Sequence, residues 1–337
     1  MSRKTSLADG LRLAVPTLLL TMLICTACQG GEGKLQQNNR KGAKTMITYP
    51  VGRFAIDIPS DMKLDHQGQK IRYAQVEEVV WPSEVPREQA REAEWQRRLV
   101  EIKKRRKPEG MNDVVKEIRL FSEANKWSKG ILYYGDYRDD QTFYWDLLVD
   151  AGHGGVWFKI YGLSCDLMVK NLLNLDNAYD WRTATSAKLP TGDRFHTRYG
   201  GVNLPYLEQE SATARFIGHS PDLKIKVKTN EIHQAEPDGH NLLGRVAAVI
   251  ASGYNVGVDI DRIRSRKRRV AGLDGEEEID RMKDQYETIL SFAWRYPGNP
   301  DSGERPEVLV TMETEDGQVD EKAKIWDAVL GSMRPLK

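Results

Sequence analysis

The residues nearest to a hydrolytic motif in this chain do not have the spacing that hydrolysis requires. The run Gly218-His219-Ser220-Pro221-Asp222 is the closest candidate for a nucleophile elbow, the strand-to-helix turn that presents a catalytic serine. It lacks the final glycine, and Pro221 stands where the backbone would enter the helix. The glycines of the segment 152–155 could form an oxyanion-hole loop, but they lie between two strand patterns at hairpin spacing and predict a turn. We therefore predict no catalytic residues and a protein that is not an enzyme.

The histidines and the cysteines give no metal-binding pattern. Zinc needs closely spaced His, Cys or carboxylate ligands, and the six histidines are mostly isolated. His233 and His240 flank Glu236 and Asp238, but this segment is typical of an exposed loop that enters a capped helix. Cys165 begins an apolar run and is predicted to be a small buried residue, since no base can be placed beside it. We predict no metal and no cofactor.

Two basic runs, Lys103–Lys107 and Arg262–Arg269, raise the question of an anionic partner. The first is predicted to end a helix, where cations favour the carboxy-terminal dipole. The second is predicted to alternate charge outward along a strand; contact with lipid headgroups or with an acidic partner is the alternative. The whole chain has 50 basic and 49 acidic residues, so no global field favours nucleic acid, and none is predicted as a partner. Glycine-rich phosphate-binding motifs are absent from the sequence.

The amino terminus has the pattern of a cleaved export signal. Arg3 and Lys4 precede an apolar run, Leu13–Ile24, which is too short to cross a bilayer as a stable helix. The residues Cys25-Thr26-Ala27-Cys28 that follow resemble the lipobox of bacterial lipoproteins. This resemblance implies that residues 1–27 are removed and that Cys28 carries the lipid anchor. Because Gln29 follows Cys28, rather than the Asp that retains lipoproteins at the inner membrane, we predict a periplasmic protein anchored to the outer membrane.

After this signal, residues 28–45 contain almost nothing apolar and are predicted to form a flexible tether. The mature chain keeps 47 basic and 48 acidic residues, a net charge of −1. Its remaining length suits two ordinary domains. Cys165 is the one thiol left once Cys28 is acylated, which excludes an internal disulfide.

The order of predicted elements, strands, helix, strands, helix, occurs twice. In the first series, the segment Ile71–Trp81 is predicted to be one uninterrupted strand, and helices are predicted at Val85–Lys107 and Asp166–Tyr179. In the second series, helices are predicted at Asn241–Ser252 and Glu321–Ser332. We predict an α+β fold of two domains, 46–185 and 190–337, each an antiparallel β-sheet with helices packed on one face. True duplication and chance recurrence of this order remain alternatives, and both give two lobes with a groove between them.

An aromatic hairpin at Tyr133–Trp145 stands out in the first series. Large rigid rings with acids at the tip suit a contact surface, although core aromatics on a half-buried sheet would give the same pattern. The tip residues Tyr137, Asp139 and Asp140 are the predicted partner-binding residues.

Five segments carry a resemblance to a known family: GRFAIDIP, VAGLDGEE, FAWRYPG, PEVLVTMET and WDAVLGSMRP. Together, from Val51 to Pro335, they resemble the immunity proteins that are paired with phospholipase effectors of bacterial type VI secretion. The resemblance implies a two-part protein that binds one lipase effector in the periplasm, grips it between two lobes and occludes its active site. The membrane would be reached through the lipid anchor. An envelope assembly or carrier lipoprotein that binds lipid or peptide in the groove is the alternative function.

Overall fold

The computed structural model describes residues 45–121, 126–182, 192, 194–218, 222–235 and 259–336. Cys28, the tether up to residue 44, Ser220 and the predicted helix Asn241–Ser252 lie outside these residues. The first part contains β1 (Met46–Val51), β2 (Phe54–Pro59), β3 (Met62–Ile71), β4 (Ala74–Val80), α1 (Arg87–Lys103), β5 (Val115–Leu120), β6 (Ser128–Asp136), β7 (Asp139–Asp150), β8 (Gly154–Gly162), α2 (Cys165–Ala178) and β9 (Tyr179–Trp181). The second part contains β10 (Phe195–His196), β11 (Gly200–Val202), β12 (Ser211–Gly218), β13 (Leu223–Asn230), β14 (Asp259–Val270), β15 (Leu273–Lys283), β16 (Thr288–Tyr296), β17 (Glu307–Glu315), α3 (Val319–Ser332) and β18 (Arg334–Pro335).

One antiparallel sheet of twelve strands runs through both parts of the chain, in the order β14-β15-β16-β17-β13-β12-β3-β4-β8-β7-β6-β5. Outward from its centre, the amino-terminal half follows β3-β4-β8-β7-β6-β5, and the carboxy-terminal half follows β12-β13-β17-β16-β15-β14. Adding nine to each strand number of the first order gives the second order, so the two halves have the same strand topology. The halves meet where β3 pairs with β12.

The predicted α+β class is confirmed in its coarse form, since the described chain is mainly β-sheet with three helices. The difference lies in the sheets, because one continuous sheet replaces the two that were predicted. The small side chains of Ala212 and Ala214 on β12 are buried, which lets the core continue beneath the junction. The domain boundaries at 185 and 190 stay a prediction.

The helices of the amino-terminal half pack on opposite faces of the sheet, not on one face as predicted. Trp95 of α1 stacks on Trp157 of β8 with ring centroids 6.0 Å apart. Trp95 and Trp157 belong to the smaller of two hydrophobic core clusters. Leu172 of α2 belongs to the larger cluster, together with Phe158, the next residue on β8. Because neighbouring residues on a strand point to opposite faces, Trp157 and Phe158 bury both sides of the strand. This explains why β6, β7 and β8 are nearly continuous apolar runs in the sequence.

In the carboxy-terminal half, α3 buries Trp326, Val329 and Leu330 in the larger core cluster. Two small three-stranded sheets, β1-β2-β18 and β10-β11-β9, complete the fold. None of the helices among the described residues is long and apolar enough to cross a bilayer.

The predicted single strand Ile71–Trp81 is wrong, because the chain turns within it. Arg72 and Tyr73 both have positive φ, 45° and 70°, and form the two-residue turn between β3 and β4. Such turns ordinarily use Asn or Gly, and neither residue is present to signal the turn. The polar segment before it, which has no strand pattern, forms β3 by pairing with β12 at eight positions, with one register shift between Arg215 and Phe216.

Candidate functional site

The sheet opens into a fork between β3 and β4. These strands pair at Ile71 with Ala74 and at Lys70 with Gln75, and no further along their length. The equivalent pair in the carboxy-terminal half, β12 and β13, is joined at all eight positions from Ser211 to Gly218. The fork therefore distinguishes the amino-terminal half of the sheet from the carboxy-terminal half.

A groove of about 830 Å³ occupies the fork, beside the junction of the two halves of the sheet, and both halves contribute to its lining. We call it the fork groove; its lining is almost entirely polar or charged. It is lined by His66, Gln67, Gly68, Gln69, Lys70, Gln75, Val76, Glu77, Glu78, Trp157, Lys159, Arg198, Tyr199, Ser211, Thr213, Arg215 and Lys226. Five of these residues are Lys or Arg and two are Glu, so the lining has an excess of three positive charges.

Both acids of the fork groove are engaged by neighbouring side chains or main-chain groups. Glu78 accepts hydrogen bonds from the hydroxyls of Tyr179, at 2.6 Å, and Thr197, and from the main-chain N–H of Tyr199, at 3.0 Å. Glu77 pairs with Arg98 of α1. The carboxylates thus hold the loop at 197–199 and the helix α1 in place, and leave the positive charges to define the groove.

Two of the cations face each other across neighbouring strands. Arg215 on β12 lies directly opposite Lys226 on β13. Like charges on directly opposite residues destabilise a sheet by about 0.2 to 1 kcal/mol. Asp65 on β3 pairs with Arg215, and no described carboxylate pairs with Lys226. An anion placed over this pair would relieve the repulsion.

On the opposite side of the groove, Lys159 of β8 has its Nζ 4.4 Å from the ring centroid of Tyr144. Burial lowers the pKa of Lys159, and the neighbouring Asp146 opposes this by favouring the charged form. The Asp146 carboxyl is itself buried, and its desolvation raises its pKa although the charges of Arg98 and Lys159 act against this.

The chemistry of the fork groove suits recognition of a charged surface. Val76 and Trp157 are the apolar side chains among its lining residues, too few to shield an acyl chain from water. The carrier function, in its lipid-binding form, therefore finds no support in this lining.

The predicted partner-binding residues lie elsewhere, at the tip of the hairpin β6–β7. Tyr137 is exposed, and its ring lies under the guanidinium of Arg106 at 4.3 Å. The carboxylate of Asp139 is tied within the hairpin, accepting hydrogen bonds from the N–H of Gln141 at 2.7 Å and the hydroxyl of Thr142 at 2.7 Å. Asp140 is exposed. The first basic run thus borders this tip, a contact that the sequence did not indicate. The run begins at Lys103, the last residue of α1, so the helix ends before the predicted Lys107.

Five of the six rings of the aromatic hairpin form or border the core, with Tyr134 and Tyr144 half-buried against it. Tyr133, Phe143 and Trp145 are buried, as the alternative explanation required. The loop with His153 is a turn between β7 and β8, as predicted, and the Gly152 N–H donates to the Asp150 carboxylate at 3.1 Å. Cys165 is half-buried at the first residue of α2.

His233 lies beside Glu231 and Asp301, a grouping close enough for a cation. Its Nδ1 is 3.0 Å from Asp301 Oδ1, and its Nε2 is 2.6 Å from the side-chain amide of Gln209. The hydrogen bond with Asp301 raises the pKa of His233. Since both ring nitrogens have partners, this cluster is explained by hydrogen bonding. The predicted neighbours Glu236, Asp238 and His240 lie outside the described residues.

The second basic run forms β14, as predicted, but several of its arginine side chains form ion pairs within the protein instead of pointing into solvent. Arg264, Arg266 and Arg268 all contact Glu277 of the GLDGEE segment. Gly275 of the same segment packs so closely on Trp294, of FAWRYPG, that an added Cβ would lie 2.6 Å from the indole. The motifs that carry the family resemblance therefore stabilise the fold.

The fork groove was not predicted from the sequence. One signal was present, because Lys224, Lys226 and Lys228 alternate with buried residues on β13 and so share an outer face. The polar run HQGQK in the second half of β3 was a second signal. No local sequence signal placed Lys159 and Arg198 in the groove, because their positions there depend on the long-range pairing of strands.

Comparison with known proteins gives a family for the carboxy-terminal part. Residues 199–336 match the family model described as the Tle cognate immunity protein 4 C-terminal domain. No curated protein matches the chain.

Three solved structures share the fold at low sequence identity. The apo structure of the immunity protein TplEi of the T6SS from Pseudomonas aeruginosa has a TM-score of 0.70 and 18% identity, covering 86% of this chain and 97% of that one. The crystal structure of a Tle4-Tli4 complex gives 0.69 and 19%, with 86% and 97% covered. TplEi from the same organism, complexed with an "L" peptide, gives 0.62 and 18%, with 86% and 98% covered.

Proposed function

We infer that this chain is an immunity protein of the type VI secretion system, and we propose that it neutralises a Tle-type phospholipase effector by binding it. The match of residues 199–336 to the immunity domain carries this conclusion and confirms the resemblance found in the sequence. The shared fold with a Tli4 protein that was solved together with Tle4 supports it. The protein acts by covering its partner, and not by catalysis.

The two halves of the sheet would act as the two lobes of the grip. The fork groove lies beside their junction, is lined by residues of both halves and offers a concave, charged surface, which supports the proposal that the effector enters here and loses access to its substrate. Silencing a potent lipase requires nearly complete occupancy, and a Kd of about 1 nM corresponds to about −12 kcal/mol. An interface that spans both halves could bury more than about 2,000 Å² in total.

The place of action is part of the same proposal. We propose that Cys28 anchors the mature protein to the periplasmic face of the outer membrane, with residues 28–45 as the tether. A tether of this length and composition allows a reach of about 20 to 25 Å from the lipid surface. Anchoring would keep the inhibitor close to the membranes that the effector attacks.

The test uses the phospholipase encoded beside this protein. Cells that express the lipase in the periplasm are expected to lyse, and co-expression of the full-length immunity protein is expected to rescue them. The purified mature protein should form an equimolar complex with the lipase and abolish its hydrolysis of phospholipid vesicles. Absence of both complex and rescue would contradict the proposal.

A matched pair of variants tests the anchor. Cys28→Ala is expected to accumulate as an unprocessed precursor without lipid, whereas Cys25→Ala should still be processed and labelled by radioactive palmitate. If both variants are labelled alike, Cys28 is not the anchor.

A further inference from the structure

The fork leaves two strand edges facing each other without a partner. A two-residue turn makes Ile71 and Ala74 a hydrogen-bonded pair. Main-chain groups alternate in direction along an antiparallel strand. The N–H and C=O of Gln67 on β3 and of Glu78 on β4 therefore point into the fork. Within the described chain, neither residue has a main-chain partner across it.

The side chains around these edges add two further indications of a missing partner. The side-chain carbonyl of Gln67 is buried and accepts no hydrogen bond from any described group. Lys226 and Arg198 line the same groove and make no ion pair with a described carboxylate. An occupant should therefore offer main-chain hydrogen-bonding groups and negative charge together.

We propose that the fork groove receives an extended, acidic segment of the effector, which adds as a strand to the open edges of β3 and β4. Its main chain pairs with groups such as those of Gln67 and Glu78, as in other cases of β-strand addition. Its carboxylates lie against Arg198, Arg215 and Lys226, and relieve the repulsion between the last two. This inference rests on the proposed function and specifies how the partner is recognised.

A phospholipid headgroup fits the groove less well than a polypeptide does. The phosphate oxygens of a headgroup only accept hydrogen bonds, and its few ammonium or hydroxyl donors do not match the repeat of N–H and C=O groups along the open edges. An extended chain satisfies both kinds of group, because each of its residues brings one donor and one acceptor.

The experiment measures affinity of the mature protein for the catalytically silent form of the neighbouring lipase. The groove variant combines Arg198→Glu with Lys226→Glu. The control combines Lys63→Glu with Lys283→Glu, which changes two exposed lysines outside the groove lining and alters the net charge equally. We expect the groove variant to bind about 100-fold more weakly and the control to stay within about threefold of the wild type.

Amide hydrogen exchange supplies an independent readout in the wild-type complex. Strand addition should slow exchange at Gln67 and Glu78 by at least about 100-fold relative to the free protein, because their amides gain hydrogen bonds. Circular dichroism and melting curves of both variants show whether they are folded, and the exchange measurement needs neither variant.

The outcomes separate the two proposals. If the wild type does not bind the lipase, the proposed function fails and the groove assignment falls with it. If the wild type binds and the folded groove variant binds equally well, or if the two amides remain unprotected, the groove assignment is overturned while the function stands. If the groove variant loses binding to phosphatidylglycerol vesicles but keeps its affinity for the lipase, the groove binds lipid instead. That result would also overturn the assignment of the groove to an effector segment.

Discussion

The indole N–H of Trp326 on α3 donates a 2.6 Å hydrogen bond to the carboxylate of Glu277 on β15. The side chain of Glu277 is fully buried, and Arg264 and Arg268 also reach it at 2.8 Å each. Both arginines contact Asp327 of α3 as well. One buried carboxylate thus joins the last helix to the edge of the sheet.

Removing this charge should strongly destabilise the protein. Burial alone would raise the pKa of Glu277, but hydrogen bonds from Arg266 and Trp326 and the nearby arginine charges outweigh it and lower the pKa. Glu277→Gln removes the buried carboxylate that Arg264, Arg266 and Arg268 share and leaves Asp327 as their acidic partner, and we expect a loss of about 3 kcal/mol in the free energy of unfolding. Asp274→Asn, on the exposed start of the same strand, should cost less than about 0.5 kcal/mol in the same urea titration. Equal effects would contradict this role of Glu277.

His196 should make the protein sensitive to acid. Its side chain is buried, and neither ring nitrogen has a partner among the described residues. Burial, and then the charges of Arg182, Arg194 and Arg53, lower its pKa from 6.5 to about 3. Between these values the unfolded chain takes up the proton and the folded chain does not, so stability is complete above about pH 6.5 and falls as the pH decreases.

From pH 7 to pH 5 this single group should reduce the free energy of unfolding by about 2 kcal/mol. His196→Leu removes the titrating group, so the variant should lose correspondingly less stability over the same range. At pH 8 the difference between the two proteins reports packing alone and serves as the reference. Parallel stability curves from pH 8 to pH 5 would show that His196 does not titrate in this way.

The arginine of the GRFAIDIP segment should act through one buried ion pair. Arg53 Nε and Nη2 bind the two carboxylate oxygens of Glu210 at 2.8 and 2.7 Å, and both side chains are largely buried. Arg53→Leu leaves Glu210 unpaired and should cost about 3 kcal/mol. Adding Glu210→Leu should recover part of this loss, because two apolar groups need no partner. A double-mutant cycle with no coupling between the two changes would refute the assignment.

The hairpin tip should contribute moderately to effector binding if it touches the partner. Tyr137→Ala with Asp140→Ala removes an exposed ring and an exposed charge, and we expect about a tenfold loss of affinity for the lipase. The control variant, Tyr286→Ala with Asp222→Ala, removes the same groups from other exposed positions. Surface plasmon resonance with immobilised lipase measures both, and unchanged affinity in the tip variant would remove Tyr137 and Asp140 from the interface.

Much of the fold could be predicted because its signals are local. The apolar stripe and charged end of α1 give its bounds to within a few residues, and the alternation in β13 and β17 identifies both strands. The turn at Arg72 and Tyr73 escaped detection, because tertiary contacts impose left-handed backbone on residues that rarely adopt it. The buried Glu210 and Glu277 are polar in sequence, and only the arginines that reach them reveal why they are tolerated.

The binding surface was much harder to predict than the elements that form it. Lys159 and Lys226 are 67 positions apart in the chain, and they line one groove only because the two halves join at β3 and β12. The tip residues, by contrast, are close together in the sequence, so a local pattern was enough to single them out.

The sheet is weakest where the fork groove opens. The strands β3 and β4 pair at two positions, whereas β3 and β12 pair at eight. Spreading β3 from β4 therefore breaks few main-chain hydrogen bonds and leaves the ladder between the two halves intact. The width of the groove can thus adjust to the thickness of a bound segment without a substitution in its lining.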